Sequence, residues 1–403
     1  MKIFFLLSFF IPCFALGQSD SLRKDSLITN MNKDAGYNRP AFFGDRFPVS
    51  LGGYLEANTH YGGTDGVNEG LSFQMRRLTL FMFSRLSSRT RFLTEIEFED
   101  GTKEINIEAA LLDFQIHRLL IFRGGVILNP IGSFNQNHDG PKWAFIERPL
   151  VSTTLIPSTW SNPGFGFHGS GLLGDLWQWN YEAYLTQGFD DQIIANETNR
   201  TFLGATKENP DRFEESFNGS AMGNLKTAFR HSSLGEFGVS WMGGVYNAFR
   251  VEGEIVDDKR RVDVFAFDLS LNPGKNTNIT GEFAMVKVDV PKTYFQQFGS
   301  GQYGFFLDWN QKICNPRIPG FPGSALYYSF RLERVDYNTE NFSEIDGGGK
   351  IYDELWGLNT GFSLRPQNET VIRINYFYRW HRDLFGNPAS KSAALQFGVS
   401  SYF

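Results

Sequence analysis

From Pro48 to Phe403 the chain falls into blocks of about ten residues in which apolar and polar positions alternate with period two, the pattern of strands with one apolar face. In WQWNYEAYL, Trp177, Trp179, Tyr181, Ala183 and Leu185 share one parity and oppose Gln178, Asn180 and Glu182. YGFFLDWNQ sets Tyr303, Phe305, Leu307 and Trp309 against Asp308 and Asn310, and VIRINYFYRW sets Ile372, Ile374, Tyr376 and Tyr378 against Arg373, Asn375 and Arg379. The final stretch, SAALQFGVSSYF, puts Leu395, Phe397, Val399 and Phe403 on one side and reads as the last stave of a closed sheet. One face carries rings and the other carries charge.

The pattern predicts sixteen strands, at about 49–60, 70–84, 90–99, 104–115, 118–128, 163–173, 177–188, 221–231, 234–245, 261–271, 277–288, 302–313, 325–335, 353–364, 370–380 and 393–403. Odd-numbered connections run long, including 130–162 and 189–220, whereas LSSRT, QIHR, LLGD, HSSLG, NPGKN and RPQNE are short even-numbered turns. CNPRIPGFPGS, after the twelfth strand, is the long exception and leaves the count open by two nearby. Alternation alone also fits a soluble β-sandwich. Two features favour an all-β, 16-stranded antiparallel transmembrane β-barrel with both termini in the periplasm. Aromatics gather toward strand ends, as interfacial girdles do, and turn lengths alternate. Closure gives every backbone polar group a partner in hydrocarbon.

Composition narrows the picture. Aromatics make up 16% of the chain, with 41 Phe beside 42 Gly, and the formal net charge is −6. Residues 1–17, MKIFFLLSFFIPCFALG, read as a secretory signal peptide cut near Gly17. It carries one of the two cysteines, Cys13, so the mature chain keeps Cys314 alone and no internal disulfide is expected. Residues 18–47 are polar and aperiodic and read as an N-terminal periplasmic segment, leaving 48–403 for the barrel. The chain is too short for a plugged transporter barrel of about 22 strands.

The runs FQMRRLTLFMFSRLSSRTRFLTEIEFED, AALLDFQIHRLLIFRGGVILNPIGSF and FIERPLVSTTLIPSTWSNPGFGFHG resemble the phosphate-selective porin O/P family, best over residues 70–170. The elements are Arg76-Arg77, the acidic strand end Glu97-Phe98-Glu99-Asp100, Arg123-Gly124-Gly125 ahead of Asn129-Pro130, and Glu147-Arg148-Pro149-Leu150. The resemblance implies a trimeric passive channel in the outer membrane whose third long loop folds inward. It implies small solutes or anions such as phosphate as cargo and outer-membrane lipid as surroundings, with no nucleic acid and no cofactor.

Phosphate selectivity needs a bore dominated by Arg and Lys. The polar face offers Arg91, Arg123, Arg331, Arg373 and Arg379, but also Glu95, Glu97, Asp308 and Glu333. This mixed wall fits a general or mildly anion-preferring porin. In the third loop, His138, Asp139, Lys142 and Arg148 are candidates for the narrowest point, and Glu147-Arg148 also reads as an ion pair anchoring the loop to the wall. Trp143, Phe145 and Leu155 need something to pack on. Strict alternation lets one of Arg76 and Arg77 face the bore; Arg77 is the choice, with Arg76 snorkelling to the interface.

The alternative class is a barrel enzyme of phospholipase type, or an adhesin. His168 and Ser170 share a face in FHGSG, but a nucleophile also needs a correctly placed base and a third orienting group, and Gly164, Gly166, Gly169 and Gly171 suggest close packing instead. Asn196 begins a glycosylation-like triplet, of no consequence in a bacterial barrel. Residues 257–261, DDKRR, read as a solvated loop tip. No cluster has metal-ligand spacing, and no glycine-rich phosphate loop precedes a helix.

Overall fold

The computed structural model describes residues 31–40, 49–198, 200–291, 293–294, 298–339, 341–342, 349–350 and 352–403. The signal-peptide stretch and Cys13 lie outside the described residues. Sixteen antiparallel strands form one closed barrel. They are β1 (Val49–Thr64), β2 (Val67–Arg85), β3 (Thr90–Glu99), β4 (Glu104–His117), β5 (Leu120–Leu128), β6 (Ser161–Leu173), β7 (Trp177–Thr186) and β8 (Met222–His231), followed by β9 (Gly235–Val245), β10 (Arg261–Gly274), β11 (Thr277–Val288), β12 (Gly301–Cys314), β13 (Ala325–Asp336), β14 (Glu354–Arg365), β15 (Thr370–Arg382) and β16 (Ser390–Tyr402). The barrel closes where β1 pairs with β16, from Tyr54 opposite Tyr402 to Thr64 opposite Ser392.

Alternation sets the two faces. Phe165, Leu185, Leu225, Phe265, Leu307, Ile374 and Phe397 are exposed on the outside, while Glu182, Asp308, Arg331, Arg373 and Gln396 are buried inside. Rings cluster at both rims. Trp177 packs on Phe237 and Trp309 on Tyr328 near the short turns; Phe305 meets Trp356 and Trp356 stacks on Trp380 near the long loops. A soluble sandwich would turn such rings inward, so the outward apolar belt decides between the two readings.

Three expectations change. The first connection is the tight turn Asp65-Gly66, both residues at positive φ, so β1 and β2 run four residues past and three before their predicted ends and form one long hairpin. The long segment after β12 is a turn with an isolated bridge between Ile318 and Phe321 and adds no barrel strand. Residues 31–40, part of the segment expected outside the barrel, lie in the bore. The Asn180 side chain contacts the Met31 sulfur, the Asn32 amide donates to Glu236, and the Tyr37 hydroxyl donates to Asp113. Charge explains this placement, because the inner wall offers carboxylates that Arg39 satisfies.

The inner wall is not polar throughout. Beneath the long loops, Met222, Met242, Val262, Val264, Ala284, Val286 and Val335 face inward and pack with loop residues into a hydrophobic core. The connection 187–221 contributes Phe189, Ile193 and Leu203, the last at the start of helix α1 (Leu203–Glu208).

Candidate functional site

The connection between β5 and β6 folds into the barrel. It opens with Asn129, whose amide bonds the Trp160 carbonyl, while Asn135 donates to the carbonyls of Asn129 and Trp160 and so holds the two ends of the loop together. Ile131, Leu150, Val151, Leu155, Ile156 and Trp160 join the hydrophobic core, and Trp143 packs on Phe134. Its aromatic and aliphatic side chains therefore have the partners that the sequence demanded of them.

Charged wall residues then tie the loop backbone across the bore. Arg331 holds Asp308 at 2.6 and 2.8 Å and donates to the Glu147 carbonyl. Arg373 bonds Glu56 at 3.0 Å and the Phe145 carbonyl at 2.7 Å. Glu333 accepts from the Leu150 amide, Glu282 from the amides of Ser133 and Phe134, and Lys226 donates to the Gly132 carbonyl. Arg331 and Arg373 were expected as free channel-lining cations, but both are fully buried. Their Nη donors are committed to carboxylates and loop carbonyls, because a loop inserted into a bore brings backbone carbonyls that need donors.

Arg76 and Arg77 both face inward, which strict alternation forbids. A β-bulge resolves this: Glu56 opposes Arg77 and Ala57 opposes Met75, so Arg76 is the extra residue. Arg77 bonds Glu56, Glu97 and Glu99 at 3.3, 3.4 and 2.5 Å. Arg76 reaches Glu147 at 3.2 Å instead of the membrane interface. A second bulge, opposite Glu95 and Ile96, turns Glu108 inward as well.

The other candidates fall into local networks. Arg123 clamps Asp113 through two bonds of 2.7 and 2.9 Å, and Arg91 meets the same carboxylate at 3.3 Å while lying over the Tyr37 ring. Arg148 approaches Glu97 at 3.8 Å; Arg379 lies 4.0 Å from Glu147 and 3.8 Å from Glu333. Glu147 and Arg148 each pair with the wall rather than with each other, so the loop is anchored as expected but through different partners. His138 and Asp139, expected at an open constriction, are fully buried beneath Arg39. Lys142 bonds Asp139 at 2.9 Å and remains partly exposed.

Two spaces flank the loop. A void lined by Glu56, Phe134, His138, Phe145, Arg148 and Arg373 measures only about 10 Å³. At the short-turn end a vestibule of about 390 Å³ is lined by Asn137, Lys142, Ser270, Asn278, Asn310, Tyr327, Ser363 and Arg365 among others. Among the described residues, Lys142 and Arg365 are its charged lining residues and no carboxylate lines it. Arg365 bonds the carbonyls of Pro141, Lys142 and Asn368.

His168 is buried 3.5 Å from Asp113, in the Arg123 network. The run at 257–261 is exposed at Asp258, Lys259 and Arg261, as a solvated loop tip requires. Asp257 accepts from Arg260 at 3.0 Å and from Tyr294, and these bonds hold its carboxyl down at about 2. No spacing in the sequence marks a metal site, yet among the described residues Glu95, His138 and Asp139 bring three ligand atoms within 4.8 Å of one another. Sequence spacing missed it because Glu95 comes from β3 and the other two from the inserted loop.

No family model matches the chain. An uncharacterized protein of Aquifex aeolicus (strain VF5) is 31% identical over 147 residues, which is 35% of this chain and 32% of that one. The chain thus spans about a third of the length of that relative. Among solved structures it resembles the outer-membrane channel DcaP of Acinetobacter baumannii, with a TM-score of 0.53 at 12% identity over 90% of this chain and 100% of the other. OmpF of Salmonella typhi, in complex with daunomycin, gives 0.55 at 10% identity, covering 90% and 100%. OprB of Pseudomonas putida gives 0.53 at 9% identity, covering 88% and 94%. The fold is therefore that of the outer-membrane porins, a closed 16-stranded barrel.

Proposed function

We propose that the protein is an outer-membrane porin that passes small hydrophilic solutes by diffusion, with its short turns and both ends of the barrel in the periplasm. The observation that carries this reading is a closed barrel, apolar outside, whose β5–β6 loop is folded into the bore and held there by wall arginines. Such a loop sets width and charge at mid-bore, the two determinants of passive selectivity. A mild preference for anions, phosphate among them, is supported by the vestibule, whose charged lining is Lys142 and Arg365. Among the carboxylates deeper in the bore, Glu56, Glu97 and Asp308 are each paired with arginine. A homotrimer is the assembly that the resemblance to the phosphate-selective family implies, and the mass of the detergent-solubilised particle tests it.

Planar-bilayer recording in a salt gradient is the direct experiment. Stepwise conductance with a reversal potential displaced toward the anion Nernst potential supports the reading. A reversal potential near zero removes the anion preference, and an absence of conductance steps removes the channel.

A further inference from the structure

We propose that Glu95, His138 and Asp139 form a binding site for a divalent transition metal, and that Arg39 of the N-terminal segment stands in the metal's place. Metal and segment would then be alternative occupants of one position in the bore.

The argument starts from the imidazole. His138 is fully buried, and its Nδ1 lies 3.0 Å from the Asn135 carbonyl, which can only accept. Nδ1 therefore carries the proton, and in the neutral ring Nε2 presents a lone pair. That nitrogen has no hydrogen-bond partner. It faces Glu95 Oε1 at 3.5 Å and Asp139 Oδ1 at 3.9 Å. A lone pair turned toward two carboxylates in a buried site calls for a cation between them. A histidine whose far nitrogen is fixed by a backbone carbonyl is also the usual arrangement of a metal ligand. The shorter of these spacings is close to the edge of about 3.4 Å in a tetrahedron whose ligands lie about 2.1 Å from zinc, and all three ligand atoms lie within 4.8 Å of one another.

Arg39 supplies the cation here. Its Nη2 donates to both of those oxygens, at 3.0 Å to Glu95 Oε1 and 2.6 Å to Asp139 Oδ1. Nη1 and Nε complete the clamp on the second oxygen of each carboxylate. The remaining contacts at Asp139 are Lys142 Nζ at 2.9 Å and the Tyr402 hydroxyl at 2.5 Å. A guanidinium nitrogen bridges the two carboxylate oxygens at the point where a metal would have to bridge them. Two like charges cannot share that point, so a bound metal must expel Arg39, and with it the segment that carries Lys33, Asp34 and Tyr37 into the bore.

The test uses the full chain folded in detergent, with cobalt(II) as probe and its visible ligand-field band as readout. Arg39→Gln should bind one equivalent at least tenfold more tightly than the wild type, and adding His138→Ala should abolish that binding. Heat-modifiable migration confirms that each variant is folded. If Arg39→Gln binds no better than the double variant there is no site, and if it binds no better than the wild type there is no competition. A second measurement needs no Arg39 variant: cobalt(II) should accelerate tryptic cleavage after the buried Lys33 in the wild type and leave His138→Ala unaffected. An unchanged rate in the wild type overturns the exchange.

Discussion

Arg76 and Glu147 face each other at 3.2 Å across the bore, one from a bulge in β2 and the other from the inserted loop, and each stays about one-fifth exposed. Most other charges at this depth are buried, so under the proposed function this pair, with Arg379 at 4.0 Å, is where an ion in transit would meet the protein's field. Glu147→Gln should leave Arg76 uncompensated and Arg379 with Glu333 alone, and so favour anions. One unit charge at about 4 Å in water is worth about 1 kcal/mol, or about fivefold in occupancy. The reversal potential in a salt gradient should move toward the anion limit, and Arg76→Gln should move it the other way. Shifts of the same sign in both variants would show that the pair does not act through its field.

How much of this was legible follows from which physical signals are local. The strands were, because period-two alternation is written into each block, and so was the inward loop, whose Trp143, Phe145 and Leu155 had to be buried. The bulge at Arg76 was not, since one inserted residue reverses parity without any marker in composition. Phe81 and Phe83 share the parity of Arg77 and so fall on the polar face. In the structure Phe81 lies under the Arg39 guanidinium, and Phe83 packs beside Leu93, Ala109 and Leu111. Inward-facing rings signalled that something covers the wall. What covers it, residues 31–40, is aperiodic and polar, and its place is fixed by distant carboxylates that no local pattern reports.

The same placement predicts the effect of removing the segment. Deleting residues 31–40 vacates the short-turn half of the bore and takes away Arg39, leaving Glu95 and Asp139 facing the channel. Single-channel conductance should rise, and selectivity should move toward cations. Recording the deletion beside the wild type at equal salt checks both. Conductance unchanged within error would mean that the segment does not obstruct the path.

The vestibule makes a separate claim. Arg365 is bonded to carbonyls and to no carboxylate, so its charge is not cancelled locally. Arg365→Gln should reduce anion permeability relative to cations by about the same factor as a single charge elsewhere in the bore, with little change in thermal stability. Lys142→Gln should do less, because Asp139 already neutralises the ammonium at 2.9 Å. Permeability ratios from the two variants give the comparison, and an equal effect would contradict the assigned role of Asp139.

Arg331 and Asp308 join β12 to β13 inside the barrel, both fully buried. Removing one member strands the other. Arg331→Met should cost about 3–5 kcal/mol, read as a lower temperature for loss of the heat-modifiable folded form. Adding Asp308→Leu should recover much of that loss, but not all, because the Glu147 carbonyl still lacks the donor that Arg331 gave it. A double variant less stable than the single one would show that the pair does not act as a compensating unit.

Gly124 and Gly125 are neighbours in β5 with opposite expected tolerance. At Gly125, φ is +123° and an added Cβ would lie 2.2 Å from the Ala110 carbonyl oxygen of β4. At Gly124 the nearest atom would be 3.5 Å away, an ordinary contact with Phe122. Gly125→Ala must therefore push β4 and β5 apart or force an L-residue into a conformation it resists, at a cost above about 1 kcal/mol. In a closed barrel such a displacement cannot be absorbed at an edge, since every strand is hydrogen-bonded on both sides. The yield of folded barrel in liposomes should fall sharply for Gly125→Ala and stay near that of the wild type for Gly124→Ala. Equal yields would mean that β4 and β5 do not pack here as closely as described.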